Sequence, residues 1–239
     1  MTNKSKLKPS AAARPSGKGR KRPVPEDHRV RTGAARREQT RRKLLVSALA
    51  VVAQKGVDAP QIDDFIAAAG VSRGTFYNHF TTTHELLAAV TAELTDTVLS
   101  AIETTVARIP DPLHRMACAC LVYMHLAVDY PAWGGFVLRT GTRRGRLMDV
   151  YLPRDLALAK ERGEADFPTV RAAQDVLQGS LTLALESILA GRAPREHVRD
   201  TLALALRAIG VPKAAAARLA ALPEEEVELP EVLRMLKAR

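Results

Sequence analysis

The sequence predicts an all-α protein, on three observations. Apolar residues fill 46% of its 239 positions but aromatics only 4%, so the core must be mostly Ala, Leu and Val. That bias favours helices, because β-branched and aromatic residues lead in strands. From residue 38 onward apolar residues recur at three- and four-residue spacing, and no alternating strand pattern or internal repeat competes.

Residues 1–37 read as a disordered basic arm, rich in Lys, Arg, Pro, Gly and Ser without an apolar period. Formal net charge is +10, but residues 1–42 hold 14 Lys and Arg against three acids, while the rest holds 22 against 23. The basic character therefore belongs to the N-terminus, an electrostatic footprint for a polyanion. A merely solubilising tail remains the plainer reading of the same residues.

The first helix is predicted to begin at Glu38, with Leu44, Leu45, Ala48, Leu49, Val52 and Ala53 on one stripe and Gly56 just past its end. The stretch DAPQIDDFIAAAG gives a second short helix, with Pro60 in its first turn and Gly70 closing it. A third runs from about Ser72 to Phe80. TTTHELL opens a long helix, where Thr82 and Glu85 have capping-box spacing, and RIPDP at 108–112 stops it. Further helices fall at about 112–129, 132–139, 146–150, 153–162, 168–190, 194–209 and 213–221, punctuated by Pro and Gly, before a tail at 222–239.

Two cysteines, Cys118 and Cys120, are too few for a disulfide framework and stand on different faces of a helix. No apolar run approaches the roughly 20 residues that span a bilayer, and no apolar core follows the charged N-terminus. The expectation is a cytoplasmic protein with no membrane partner. No phosphate loop, metal-binding helix, cysteine cluster or nucleophile elbow occurs, so no catalytic residue, metal or cofactor is expected.

AAAGVSRGTFYNHF, residues 67–80, carries the functional signal. Helix, short turn and helix make a helix-turn-helix pattern. Ser72 suits a cap, and on a helical wheel Phe76 and Phe80 point inward together. Gly74, Thr75 and Asn78 then face outward, flanked by Tyr77 and His79, with Arg73 on the first turn. Gly74 leaves room for a duplex, Thr75 and Asn78 can read base edges, and Arg73, Tyr77 and His79 can donate to phosphates or guanine. Singly, each has a bland reading as a surface or packing residue. Together, beneath a basic arm, they favour double-stranded DNA.

These motifs resemble the DNA-binding head of the TetR family of bacterial transcription regulators over about residues 38–87: KG at 55–56, the 67–80 stretch, and HELL at 84–87. The resemblance implies a helix-turn-helix domain at 38–83, with Ser72, Arg73, Gly74, Thr75, Tyr77, Asn78, His79 and Thr83 at DNA. It also implies a helical domain at 84–221 that dimerises and senses an unknown small molecule. Where the family has Thr near 60 and 61, this chain has Pro60 and Gln61; where it often has a phosphate-binding Lys, this chain has Thr83. Val52 and the Phe65–Ile66 pair look like coupled repacking of the first two helices.

If the arm compensates for those lost phosphate contacts, Arg20, Lys21, Arg22, Arg36 and Arg37 are its candidates. Deleting residues 1–36 should then lower operator affinity and flatten its salt dependence; an unchanged affinity and slope would sink the idea.

In the sensor domain, 168–190 and 194–209 are the candidate homodimer helices, through Val176, Leu177, Leu181, Leu185, Ile188, Leu202, Leu206 and Ile209. Tyr123, Met124, His125, Trp133, Phe136, Met148 and Tyr151 are candidate pocket residues, among helices starting near 84, 112 and 132. The functional expectation is a ligand-released repressor on a palindromic operator. The alternatives are a weakly specific architectural DNA-binding protein and a thiol-responsive regulator acting through Cys118 or Cys120.

Overall fold

The computed structural model describes residues 26–56, 60–139 and 146–234. Every regular element among them is helical: α1 Glu26–Lys55, α2 Ile62–Ala69, α3 Arg73–Tyr77, α4 Thr83–Val106, α5 Pro112–Asp129, α6 Pro131–Arg139, α7 Met148–Glu161, α8 Val170–Leu189, α9 His197–Ala208, α10 Lys213–Ala220 and α11 Glu231–Arg234. The chain divides into two compact units, residues 1–38 and 39–239.

In the first unit the helix begins at Glu26, so residues 26–37 of the expected disordered arm are helical. Arg20, Lys21 and Arg22 lie outside the described residues; Arg36 and Arg37 are exposed. The sequence hid this helix because it has no apolar stripe. Its residues 33–39 are all exposed, and Ala34, Ala35, Arg36, Arg37, Glu38 and Gln39 (an Ala/Arg/Glu/Gln run) are good helix formers by intrinsic propensity.

In the second unit α1, α2, α3 and the start of α4 close over Leu44, Leu45, Ala48, Val52, Phe65, Phe76, Phe80 and Leu86, all buried. Burial of each such large side chain stabilises by about 1.5–3 kcal/mol. Helix α2 begins at Ile62, not at Pro60: Gln61 is its cap residue, and the Gln61 N–H donates to Asp64 Oδ2 at 2.9 Å. Lys55 Nζ meets Asp64 Oδ1 at 2.6 Å and ties the end of α1 to the start of α2. That bond, more than any other contact, holds the Asp64 carboxyl below its ordinary pKa.

The remaining body packs around α5, which touches α4, α6, α7, α8, α9 and α10. Asp111 and Thr169 cap α5 and α8, accepting from His114 N–H at 2.6 Å and Ala172 N–H at 3.1 Å. The two helices expected at 146–150 and 153–162 are one, α7, with Pro153 inside it. Gly134 lets α6 approach closely: a Cβ there would stand 2.3 Å from Ala127 O and 2.9 Å from Leu189 Cδ1. Of the expected tail at 222–239, residues 222–234 are described, with Leu233 fully buried and Glu224 joined to Arg195.

That last contact places a titratable group in the fold. His125, 2% exposed, sets Nδ1 2.9 Å from Glu224 Oε1, with Arg195, Arg199 and Asp129 around them. Burial pushes the imidazole below its ordinary 6.5, against the pull of Glu224. The unfolded chain therefore takes up the proton first as pH falls. This contribution to stability is complete above about pH 6.5 and declines below it. The melting temperature should be flat above that pH and fall toward pH 5, and His125→Gln should remove most of that slope. An unchanged slope in the variant would contradict the assignment.

Candidate functional site

The corner between α2 and α3 is fixed from beneath and open above. Gly70 ends α2 at φ 57, where its N–H donates to Ala67 O at 3.1 Å and the Val71 N–H donates to Ile66 O at 3.2 Å. A residue with a Cβ would be strained there by about 1–2 kcal/mol. Ser72 Oγ accepts from the Thr75 N–H at 3.1 Å, and the two hydroxyls share a hydrogen bond of 2.8 Å. Phe76 is fully buried; Phe80 packs on it at 6.1 Å between ring centroids, and Tyr77 meets it edge-on at 5.6 Å. Arg41 covers the Phe80 ring at 5.6 Å.

Above this base the predicted face is at the surface. Arg73, Gly74, Asn78 and Tyr77 are exposed, Tyr77 by 50%, while Thr75, His79 and Thr83 are half-buried. Helix α3 is shorter than expected, because its last turn tightens after Tyr77, where His79 N–H donates to Phe76 O at 2.9 Å. The Phe80 N–H still donates to Phe76 O at 2.9 Å, so the inward pair keeps its register. Among the described residues beyond its own helix backbone and chain neighbours, only Ser72 Oγ, at 3.9 Å, lies within contact of a Cβ built on Gly74.

Two expectations change in detail. Arg73 is not a loose cation: its guanidinium pairs with Asp63 on α2, which keeps it charged. The pair is exposed on both sides and so is weak enough to yield to a phosphate. At the start of α4, Thr82 Oγ1 accepts from Glu85 N–H at 3.1 Å, but the Glu85 carboxylate reaches Thr81, at 2.7 Å from its N–H and 2.6 Å from its hydroxyl. One residue escaped the sequence reading. Lys43 Nζ lies 3.7 Å from where a Cβ of residue 70 would stand, so α1 brings an ammonium to the turn that leads into α3. Its spacing from the motif gave no signal.

The second feature is a cavity of about 80 Å³ in the body. Its wall comes from α4, α5, α7 and α8, with Val137 alone from α6, so α7 and α8 join the helices expected. Tyr123, Met124, Met148 and Tyr151 line it. His125, Trp133 and Phe136 do not: Trp133 and Phe136 are core residues at 0% exposure, and His125 faces Glu224. All three were expected from size and polarisability, which do not tell a wall from the packing behind it. Trp133 packs edge-on against Tyr123 at 5.0 Å.

Glu103 and Asp155 are the charged residues on the wall. Asp155, 3% exposed, accepts from Arg115 and Arg154, and Arg154 Nη1 also reaches Glu103 Oε1 at 2.6 Å. Cys120 is on the wall too. Burial pushes its thiol up to about 12 and that of Cys118 to about 11, so both stay protonated, which is unfavourable for thiol sensing. Among the described residues no group of three His, Cys, Asp or Glu stands ready for a metal ion, and no helix is long and apolar enough to cross a membrane.

The model for bacterial regulatory proteins of the tetR family matches residues 44–90. Over 59 residues the chain is 48% identical to the HTH-type transcriptional regulator CymR of Pseudomonas putida, and over 61 residues 34% identical to the uncharacterized HTH-type transcriptional regulator YvdT of Bacillus subtilis. These matches take in 25% and 26% of this chain but only 29% and 31% of those relatives. The likeness to a crystal structure of RolR in complex with the ligand resorcinol is broader: TM-score 0.73 and 30% identity, over 82% of this chain and all of that one. A tetR-family regulator from Pectobacterium atrosepticum gives TM-score 0.60 and 25% identity, over 74% of this chain and 97% of that one.

Proposed function

We propose that this chain, which belongs to the tetR family of bacterial regulatory proteins, is a dimeric repressor that binds a near-palindromic operator and leaves it when a small molecule fills the cavity. The observation that carries the reading is the open face of α3, set on a buried Phe pair and capped by Ser72. On it Tyr77, Asn78, His79 and Arg73 serve the DNA backbone and base edges, Thr83 the backbone at the start of α4, and Gly74 the close approach. Lys43 adds a cation beside the turn. The protein acts where its DNA is, in the cytoplasm, and performs no catalysis.

The dimer reading rests on α8 and α9. Leu177, Leu181, Leu185, Leu202, Leu206 and Ile209 are used up in the subunit's own core. Leu183 and Leu204 are 64% and 62% exposed, and Val176 38%, an apolar face that a second copy would cover. Release follows from α4, which starts beside α3 and carries Glu103 to the cavity wall. A ligand that prefers the arrangement in which the two α3 helices no longer match the groove spacing lowers DNA affinity by that preference. The RolR complex supports a small ring compound as effector. Selection from random duplexes tests the reading: it should recover an inverted repeat with half-site centres about 34 Å apart or a multiple of that. Recovery of no preferred sequence would favour the architectural alternative.

A further inference from the structure

The cavity wall is apolar except at a few places, and its charged side chains are both carboxylates. Their cations, Arg115 and Arg154, are not on the wall. Asp155 is saturated: Oδ1 accepts from Arg115 Nη2 at 2.6 Å, Arg154 Nε at 2.8 Å and Arg115 Nε at 3.1 Å, and Oδ2 accepts from Arg115 Nε and Arg154 Nη2 at 3.1 Å. Among the described residues Glu103 is held by Arg154 alone, at 2.6 Å on Oε1 and 3.3 Å on Oε2. A carboxylate offers about four lone-pair sites, so Glu103 keeps capacity for another donor. Its side chain is 18% exposed, part-buried at the cavity.

We infer that the cavity takes an uncharged, ring-sized molecule bearing a hydroxyl, which it donates to the Glu103 carboxylate. This rests on the reading of the cavity as the effector site, and it names the chemistry that site selects. An anion would face two carboxylates, with no cation on the wall among the described residues. A cation would add charge to a cluster in which two guanidiniums already balance two carboxylates. An ether of the same shape fills the apolar wall but leaves Glu103 without its donor. The hydroxyl adds a donor beside Arg154 of α7 on Glu103 of α4, so occupancy acts on the helix that begins beside α3.

The single tryptophan, Trp133, touches the wall residue Tyr123 and reports occupancy by fluorescence. The full chain is titrated with 4-methylphenol, 4-methylanisole, 4-methylbenzoate and 4-methylbenzylamine, and the same sample is checked for binding to an inverted-repeat duplex. The phenol should bind at least about tenfold tighter than the ether, as expected for loss of one charge-assisted hydrogen bond, with the anion and the amine weaker still. Glu103→Gln should weaken the phenol and leave the ether unchanged. Equal affinity for phenol and ether, tighter binding of the anion or the amine, or binding of none of the four overturns the inference, whether or not the chain binds DNA. Phenol selectivity in a chain that ignores DNA upholds it and removes the regulator reading instead.

Discussion

Replacing Gly74 by Glu is expected to abolish operator binding, by more than about a hundredfold, without lowering the melting temperature. Position 74 lies in the first turn of α3, has no positive φ, and its Cβ would touch only Ser72 Oγ at ordinary distance. Within the protein the change is neutral or mildly favourable, since a glycine leaves a helix and an acid enters its first turn. In the proposed binding mode the same side chain would occupy the space of the duplex and set a carboxylate among phosphates. Gly74→Ala separates the two effects: it should raise the melting temperature slightly and weaken binding less. A Gly74→Glu protein that binds its operator normally would show that α3 does not enter the groove.

Leu183→Glu and Leu204→Glu are expected to give folded monomers. Both side chains are more than three-fifths exposed, so neither supports the subunit core. Burial of each against a partner is worth about 1.5–3 kcal/mol, and a two-fold axis counts every loss twice. Sedimentation should show the mass halving with the helical circular dichroism intact. Operator affinity should fall by about a hundredfold or more, because one α3 alone engages one half-site. A variant that remains a dimer would place the interface elsewhere.

What could be read from the sequence was local. Ser72, Thr82, Gly70 and the Phe76–Phe80 pair announce themselves within a few residues, by capping chemistry and helical period, and the structure places them so. The start of α1 was illegible because its residues carry no apolar period. The charged part of the cavity wall was illegible for another reason. Glu103 and Asp155 belong to α4 and α7, and Arg115 behind them to α5, and nothing in their spacing brings them together. The same holds for Lys43 and for the split of the α8 and α9 leucines, where period gives a stripe but not which leucines face the core and which face outward.

The central claim is that the corner at residues 67–83 reads a DNA sequence. Its most direct test is the ratio of affinities for a selected inverted repeat and for a scrambled duplex, measured by anisotropy at one fixed, near-physiological salt concentration. A sequence-reading dimer should prefer the repeat by about a thousandfold or more. A ratio below about tenfold at that salt would mean that charge alone holds the chain to DNA, and would contradict the account.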